Sequence, residues 1–360
     1  MTWEDAVAET ARSTAVLERD VLFLVWGPPS HGPRSRVFAR ELGIEIRFVT
    51  STTRRGLLVA PLKYMSQASK TFRLLTARRP RLVFVQSPPT FAVMAVWLYG
   101  AFTGARFVVD AHSAAMLSAY WTRPRWLYRL IARRALATIV TNEHFAQWIR
   151  RSGGRALVVR DIPTSFPAGD TFPVADAFNV MVVNTFAEDE PLSQVIAAAD
   201  GLNDVVFHVT GDPRRPGAYV PERVPANVRF TGFLPDREYY ALMASSQAVM
   251  CLTTRDHTMQ RGACEALWMG KPIVTSRWPL LQEYFRAGTV HVANTADGIR
   301  NGMREMVQRH AEYEHEIRLL QAERRGAWET AVGSLHALLE SVRARSSAVA
   351  QTSEGSVRTS

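Results

Sequence analysis

The sequence predicts an α/β protein built from two doubly wound parallel sheets, and three observations predict it. Short runs of branched and aromatic residues alternate with helical stretches at the spacing of βαβ units. The alternation occurs twice, separated by one stretch, 161–177, that is rich in Pro, Thr, Gly and Asp. The 360 residues also suffice for two domains of ordinary size, each able to bury a core.

In the first half, the run from Val21 to Trp26 reads as a strand that enters Gly27-Pro28-Pro29-Ser30-His31-Gly32, and a helix follows from Arg34. Further strands are predicted at 45–49, 81–86, 106–110, 137–141 and 155–159, with helices at 62–76, 90–102, 125–136 and 143–151 between them. Segment 90–102 is apolar but too short to span a bilayer as a helix. The second half repeats the pattern, with strands at 178–183, 205–210, 228–231, 248–252, 272–275 and 289–292. Its helices are predicted at 191–199, 236–244, 258–269 and 279–287. Residues 296–342 read as mostly helical, and the tail from Arg343, dominated by Ser, Thr, Ala and Arg without periodicity, reads as disordered. The domains expected are therefore residues 1–165, a linker at 166–177, a second domain at 178–310, C-terminal helices at 311–342 and a tail at 343–360.

Two cysteines, Cys251 and Cys264, lack metal-ligand spacing and read as buried thiols in a reducing compartment. Glu4, Asp5 and Glu9 stand where a secretory signal would be basic, which points to a cytoplasmic protein. Charge is uneven. Residues 1–170 hold 24 Lys+Arg against 11 Asp+Glu, whereas the remainder holds 19 against 22. Such a basic half is either a solubilising surface or a face for an anionic partner: a membrane surface at the inner leaflet, a lipid-linked phosphate or nucleic acid. Nucleic acid ranks last, because no zinc-finger or RRM signature is present. Lys63, Lys70, Arg73, Arg78, Arg79 and Arg81, interleaved with Tyr64, Met65, Phe72, Leu74 and Leu75, suit either an interfacial amphipathic segment or a core-facing helix with a solvated basic side.

The stretch Asp256 to Ser276, DHTMQRGACEALWMGKPIVTS, is the most informative. It reads as a polar loop, a helix capped at Thr258 and ending before Gly270-Lys271-Pro272, and a short apolar strand. Glu265 sits mid-helix among apolar neighbours, so its carboxylate is either solvated or held by donors. Glu265-Ala266, Gly270-Lys271-Pro272-Ile273 and Thr275-Ser276 resemble the second half of a pattern found in retaining, family 4-like glycosyltransferases that use nucleotide sugars. That family usually carries a first glutamate eight positions earlier; here the position holds His257. The resemblance covers residues from Val21 to about His310. It implies a GT-B fold: two Rossmann-like domains facing each other, with a last helix returning toward the first.

The resemblance also implies site residues. Glu265 would accept hydrogen bonds from the donor ribose, with His257, or adjacent Asp256, standing in for the glutamate that contacts the sugar. Glu283 resembles a further glutamate of the family, His112 a histidine that approaches the donor sugar, and Gly27 and Gly32 the loop near donor and acceptor. In the family an Arg and a Lys from the loop after the second domain's first strand hold the pyrophosphate; the corresponding loop here, 184–191, is acidic. Arg255 and Arg261, flanking the Thr258 helix start, are the expected substitutes, with Arg214 and Arg215 after Gly211-Asp212 as further candidates. The chain contains no Asp-x-Asp, so no metal cofactor is expected. The function expected is transfer of a sugar from a nucleotide-sugar donor to an envelope glycan or lipid-linked acceptor, with retention. A sugar-nucleotide epimerase on the same fold and a non-catalytic nucleotide-sugar-binding or scaffold protein remain as alternatives.

Overall fold

The computed structural model describes residues 20–29, 33–51, 59–164, 166, 171–214 and 222–357, with only the backbone of Pro33 and 343–357. The chain forms two compact units, Met1–Ile162 together with Trp328–Ser360, and Pro163–Ala327.

In the first unit six parallel strands, β1 (Val21–Trp26), β2 (Glu45–Val49), β3 (Leu82–Ser87), β4 (Arg106–Ala111), β5 (Ala137–Val140) and β6 (Ala156–Val158), lie in the order β2-β1-β3-β4-β5-β6. The order reverses between β1 and β3, which is where open α/β sheets place their ligand crevice, outside the carboxyl ends of the strands. The helices are α1 (Pro33–Glu41), α2 (Ala60–Arg78), α3 (Thr90–Thr103), α4 (Ser113–Leu117), α5 (Ala119–Thr122), α6 (Arg125–Arg134) and α7 (Glu143–Arg151). Strand alternation sorts the core into two layers. Leu22, Leu24 and Trp26 of β1 face Leu75 of α2, Val93 and Val96 of α3 and Ile149 of α7; Val21, Phe23 and Val25 face Phe38 and Ala39 of α1. Both faces are covered, which accounts for continuous apolar strands rather than alternating ones.

The second unit repeats this with β7 (Phe178–Val182), β8 (Val205–Thr210), β9 (Val228–Gly232), β10 (Ala248–Cys251), β11 (Ile273–Ser276) and β12 (Thr289–Val292), ordered β12-β11-β10-β7-β8-β9 and all parallel. Here the reversal falls between β7 and β10. The helices are α8 (Leu192–Ala199), α9 (Asp236–Ser245), α10 (Arg261–Met269), α11 (Pro279–Tyr284) and α12 (Ala296–Gln308), followed by the long α13 (His310–Val357). One face of the sheet packs on Val195 and Ile196 of α8 and Ile299 and Met303 of α12. The other packs on Leu242 of α9, Leu267 of α10 and Leu281 of α11.

Helix α13 serves both units. Tyr313, Ile317 and Leu320 are buried in the second, whereas Trp328, Leu335, Leu338 and Leu339 join the α1 side of the first. The return of the last helix expected from the sequence is therefore present. Its backbone stays helical to Val357, where the sequence predicts disorder from Arg343. Ala344, Arg345, Ala348 and Ala350 are good helix formers, and adding residues to an existing helix avoids the cost of nucleation.

The expected linker is not a free tether. Phe166 stacks edge-on against Tyr240 with ring centroids 5.0 Å apart, Phe172 N–H donates to Ser245 Oγ at 3.2 Å, and Phe172 and Val174 pack against the core of the second unit. Helix α2 buries Gln67, Thr71 and Leu75, so it is a core-packed helix with a solvated basic side. Among the described residues no helix is long and apolar enough to cross a membrane.

Candidate functional site

The reversal between β7 and β10 makes the loops after these strands the walls of the second unit's crevice. The β10 loop joins β7's loop directly: Thr253 Oγ1 donates to Asp189 Oδ2 at 2.9 Å, Thr254 N–H to Asp189 O at 2.7 Å, and an Arg255 terminal nitrogen lies 3.5 Å from Asp189 Oδ1. Glu190 accepts from Thr185 N–H, Thr185 Oγ1 and Ala187 N–H at 2.7, 3.0 and 2.9 Å. This acidic loop thus satisfies its own backbone. Glu190 closes the loop.

Each of these two loops holds a non-glycine residue in the left-handed region, Phe186 (φ 58°) and His257 (φ 56°). Such residues are uncommon, and each costs on the order of 1 kcal/mol that surrounding structure must offset. At His257 the backbone N–H donates to Asp256 Oδ1 at 2.6 Å and Nε2 lies 3.5 Å from Oδ2, so these two candidates are bound to each other, both partly exposed. The turn also displaces the helix. α10 begins at Arg261 with Gln260 as N-cap, and Thr258 Oγ1 donates instead to Asp256 O at 3.4 Å. The expectation that Thr258 caps the helix is therefore corrected: the cap is Gln260, two residues on. Within α10, Gly262 is fixed by packing: a Cβ there would meet Val183 Cγ1 at 2.7 Å and Cys251 Sγ at 2.8 Å. Helix α10 consequently starts close against the ends of β7 and β10, with the positive end of its dipole at the crevice.

Glu265, one turn further, is held rather than solvated. Its side chain is 5 % exposed. Oε1 accepts from Arg261 Nε at 2.6 Å and Tyr240 OH at 3.1 Å, and Oε2 accepts from Tyr239 OH at 3.0 Å. Burial first, then the Glu265 charge, pushes Tyr239 well above the usual phenol range and Tyr240 to about 12, so both hydroxyls stay protonated and donate. The same charge holds Arg261 above its ordinary value against the opposing effect of burial. A carboxylate offers about four lone-pair positions. With three filled, Glu265 has room for about one external donor unless a partner yields. Tyr239 and Tyr240 escaped the sequence reading, since they precede Glu265 by more than six helical turns' worth of chain and belong to another helix. Cys251, beneath this group, is a buried thiol pushed far up by burial and by Glu265 and Glu190.

Gly211 (φ 96°) has a packing reason for being glycine, because a Cβ would meet Asn184 O at 2.5 Å. Arg214 is engaged locally, Nε donating to Asp212 Oδ1 at 2.9 Å on an exposed turn. Glu283 is exposed in the last turn of α11. Arg255 and Arg261 are largely exposed, at 61 % and 63 %. Gly32 and Arg215 lie outside the described residues.

In the first unit His112 caps β4 at the start of α4, and its backbone N–H donates to Ser87 O at 2.9 Å. Its Nε2 lies 3.2 Å from Oδ2 of Asp110, which is fully buried. Arg34 Nε approaches Asp110 Oδ1 at 3.4 Å, Ser35 Oγ approaches Oδ2 at 3.5 Å and donates to Gln86 Oε1 at 3.0 Å, and Arg34 also donates to Val159 O at 2.9 Å. Burial alone would raise the Asp110 carboxyl, but Arg34 and His112 together bring it below the usual carboxylate value. Val108 packs with Phe38 and Ala39 of α1, and strand alternation puts Asp110, two residues on, on that same face, where it meets Arg34 and Ser35. With Nε2 beside Asp110, His112 has Nδ1 left for another partner on a side chain that is 27 % exposed. Gly27 (φ 153°) lies beside this cluster's strand layer, donating N–H to Val49 O at 3.1 Å.

Among the described residues no three His, Cys, Asp or Glu side chains come together as metal ligands would.

A family profile described as Glycosyl transferase 4-like domain matches residues 4–164, and one described as Glycosyl transferase-like matches residues 190–330. Among solved structures, a sucrose-phosphate synthase from Thermosynechococcus elongatus superposes with a TM-score of 0.67 at 14% identity, covering 91% of this chain and 100% of its own. HepE of Anabaena, solved with UDP and glucose, gives 0.62 at 15% identity over 89% of this chain and 99% of its own. A candidate UDP-N-acetylglucosamine 2-epimerase of Listeria monocytogenes gives 0.63 at 12% identity over 89% and 96%. At such identities the superpositions establish the fold. No curated protein matches the chain.

Proposed function

Since the chain is a glycosyltransferase of GT-B fold, we propose that it takes a sugar from a nucleotide-sugar donor held by the second unit and transfers it, with retention and without a metal, to an envelope glycan or lipid-linked acceptor. The observation that carries the donor half is the buried Glu265, set one turn inside α10 at the β7/β10 crevice with Arg261 against it. HepE, solved with UDP-glucose, supports a donor of that class.

In the reaction the bond from the anomeric carbon to the donor phosphate breaks and a bond to an acceptor oxygen forms. The leaving phosphate oxygen takes the electron pair of the broken bond and receives the proton that the acceptor hydroxyl gives up. The α10 N-terminus, Arg255 and Arg261 stabilise the leaving charge. Glu265 accepts one ribose hydroxyl, Asp256 and His257 contact the sugar, and Glu283, Thr258 and Gly211 form the outer wall of the donor site. His112, held at Nε2 by Asp110, presents Nδ1 either as acceptor, when neutral, or as donor to a phosphate oxygen, when charged. The positive excess of residues 1–170 supports a cytoplasmic protein that works at an anionic membrane face.

Thermal-shift screening across nucleotide sugars, followed by NMR of the product's anomeric configuration, tests this reading. Turnover should survive EDTA; loss with EDTA and recovery with magnesium or manganese would replace the metal-free step. The nearly saturated Glu265 and the missing first glutamate favour one rival, a silent binder, which would bind a nucleotide sugar and never release free nucleotide. The epimerase alternative predicts conversion of a UDP-sugar without any acceptor.

A further inference from the structure

Parallel strands gather two kinds of edge. The carboxyl edge of the first sheet holds His112; the amino edge gathers the residues that precede β3, β4 and β6. There a cavity of about 1020 Å³ opens, lined by Arg79, Arg81, Arg106 and Arg155. Topology alone assembles these four: Arg79 is the left-handed C-cap of α2, Arg81 immediately precedes β3, Arg106 opens β4 and Arg155 precedes β6. Among the described residues no acidic side chain lines the cavity. Among the described residues only Asp20 approaches one of them, 3.9 Å from Arg81.

An ordinary reading is that arginines here complement helix ends. The C-termini of α2 and α3 do point to this edge, and each brings about half a negative charge. Helix ends and one loosely placed aspartate offset only part of the four positive charges. The cavity wall is also apolar. Phe102, 85 % exposed, stands at its rim, and Leu338 lies inside. Phe102 continues an outward stripe on α3 with Phe91 and Leu98, both 40 % exposed, at i, i+7 and i+11. A guanidinium cup with an aromatic rim matches an ion that is anionic at one end and greasy at the other.

We propose that this cavity binds a phosphate ester, with the arginines on the phosphate and Phe102 beside the apolar part of an anionic phospholipid. The site deepens the membrane reading above, yet it lies at the opposite edge of the sheet from His112 and is independent of the transfer chemistry.

The full chain would be sedimented with vesicles of phosphatidylcholine alone or mixed with phosphatidylglycerol, and titrated separately with inorganic phosphate and glycerol phosphate. The variant R81Q/R106Q/R155Q is compared with K63Q/K70Q/R73Q, which removes the same charge from the outer side of α2, and with F102S. Expected is binding to the anionic vesicles that falls at least tenfold in the cavity variant, falls in F102S, and persists in the α2 variant, with unfolding curves unchanged. Binding of soluble phosphate that only the cavity variant loses, with no vesicle binding, supports the same site with a free phosphate ester as its ligand. Equal losses in the cavity and α2 variants would overturn the site while leaving a diffuse membrane attraction. Absence of binding to vesicles and to both phosphates would overturn it outright. Activity on a soluble acceptor, unaltered in the cavity variant, separates either result from failure of the transferase reading.

Discussion

Asp110 in the first unit and Glu265 in the second are both withdrawn from water, at 0 % and 5 % side-chain exposure, and each has one arginine within reach. Their remaining partners differ. Asp110 is bordered by Ser35 and His112, and the imidazole is the member most open to solvent. Glu265 is enclosed by two phenols, and its solvent-facing member is Arg261. The first carboxylate therefore spends itself on aiming another group, while the second spends most of its own accepting capacity on the fold. One cluster is built to orient, the other is built to be completed or opened by something that competes for its last position.

The largest effect expected is on stability. Asp110→Asn leaves Arg34 beside a neutral group in a buried setting, so unfolding free energy should drop by about 3–5 kcal/mol, read by urea or thermal denaturation. A drop under about 1 kcal/mol would mean that Arg34 is solvated and the two clusters are not comparable. The pH dependence sharpens the same point. Arg34 and His112 hold the folded Asp110 below its unfolded value of about 3.9. Its contribution is therefore present above that value and lost as pH falls through the folded one. Wild type should lose stability below about pH 4 more steeply than D110N.

Next in size is Glu265→Gln, which weakens a charge-assisted group and should cost about 1–3 kcal/mol in donor affinity. Unchanged affinity in a folded variant would take Glu265 out of the donor site. Smallest, and most diagnostic, is Tyr239→Phe. Losing one hydrogen bond should destabilise the fold by about 0.5–1.5 kcal/mol, but it frees a position on Oε2. If a ribose hydroxyl competes with the phenol, calorimetry should show the donor binding more tightly. Weaker binding would mean that Tyr239 itself belongs to the donor contact.

Much of this fold could be read from the sequence because its strands are buried on both faces. Val21–Trp26 and Val205–Thr210, buried at every residue, fall where apolar runs end at turn residues. Helices α4 and α5 were not legible, since Ser113 to Thr122 has apolar residues but no helical period long enough to register. The start of α10 was misplaced because a threonine that looks like a cap instead closes a turn onto Asp256, next to a histidine in the left-handed region. Glu265 could be singled out by its apolar setting, whereas its phenol partners could not. They are paired with it by the crossing of α9 and α10, a contact that no local pattern encodes. The same holds for Arg34, which meets Asp110 across 76 residues.

Helix α13 gives the first unit Trp328, Leu335, Leu338 and Leu339, side chains that pack with Phe38 and Val159 although some 165 residues of the other unit lie between. During synthesis the amino-terminal sheet emerges long before these four residues exist. Until then the α1 side of its core lacks the four apolar side chains that complete it, leaving part of that face open to water and to whatever else is newly made nearby. The first half made is thus the last to be finished, and its maturation waits on the ribosome delivering the final helix.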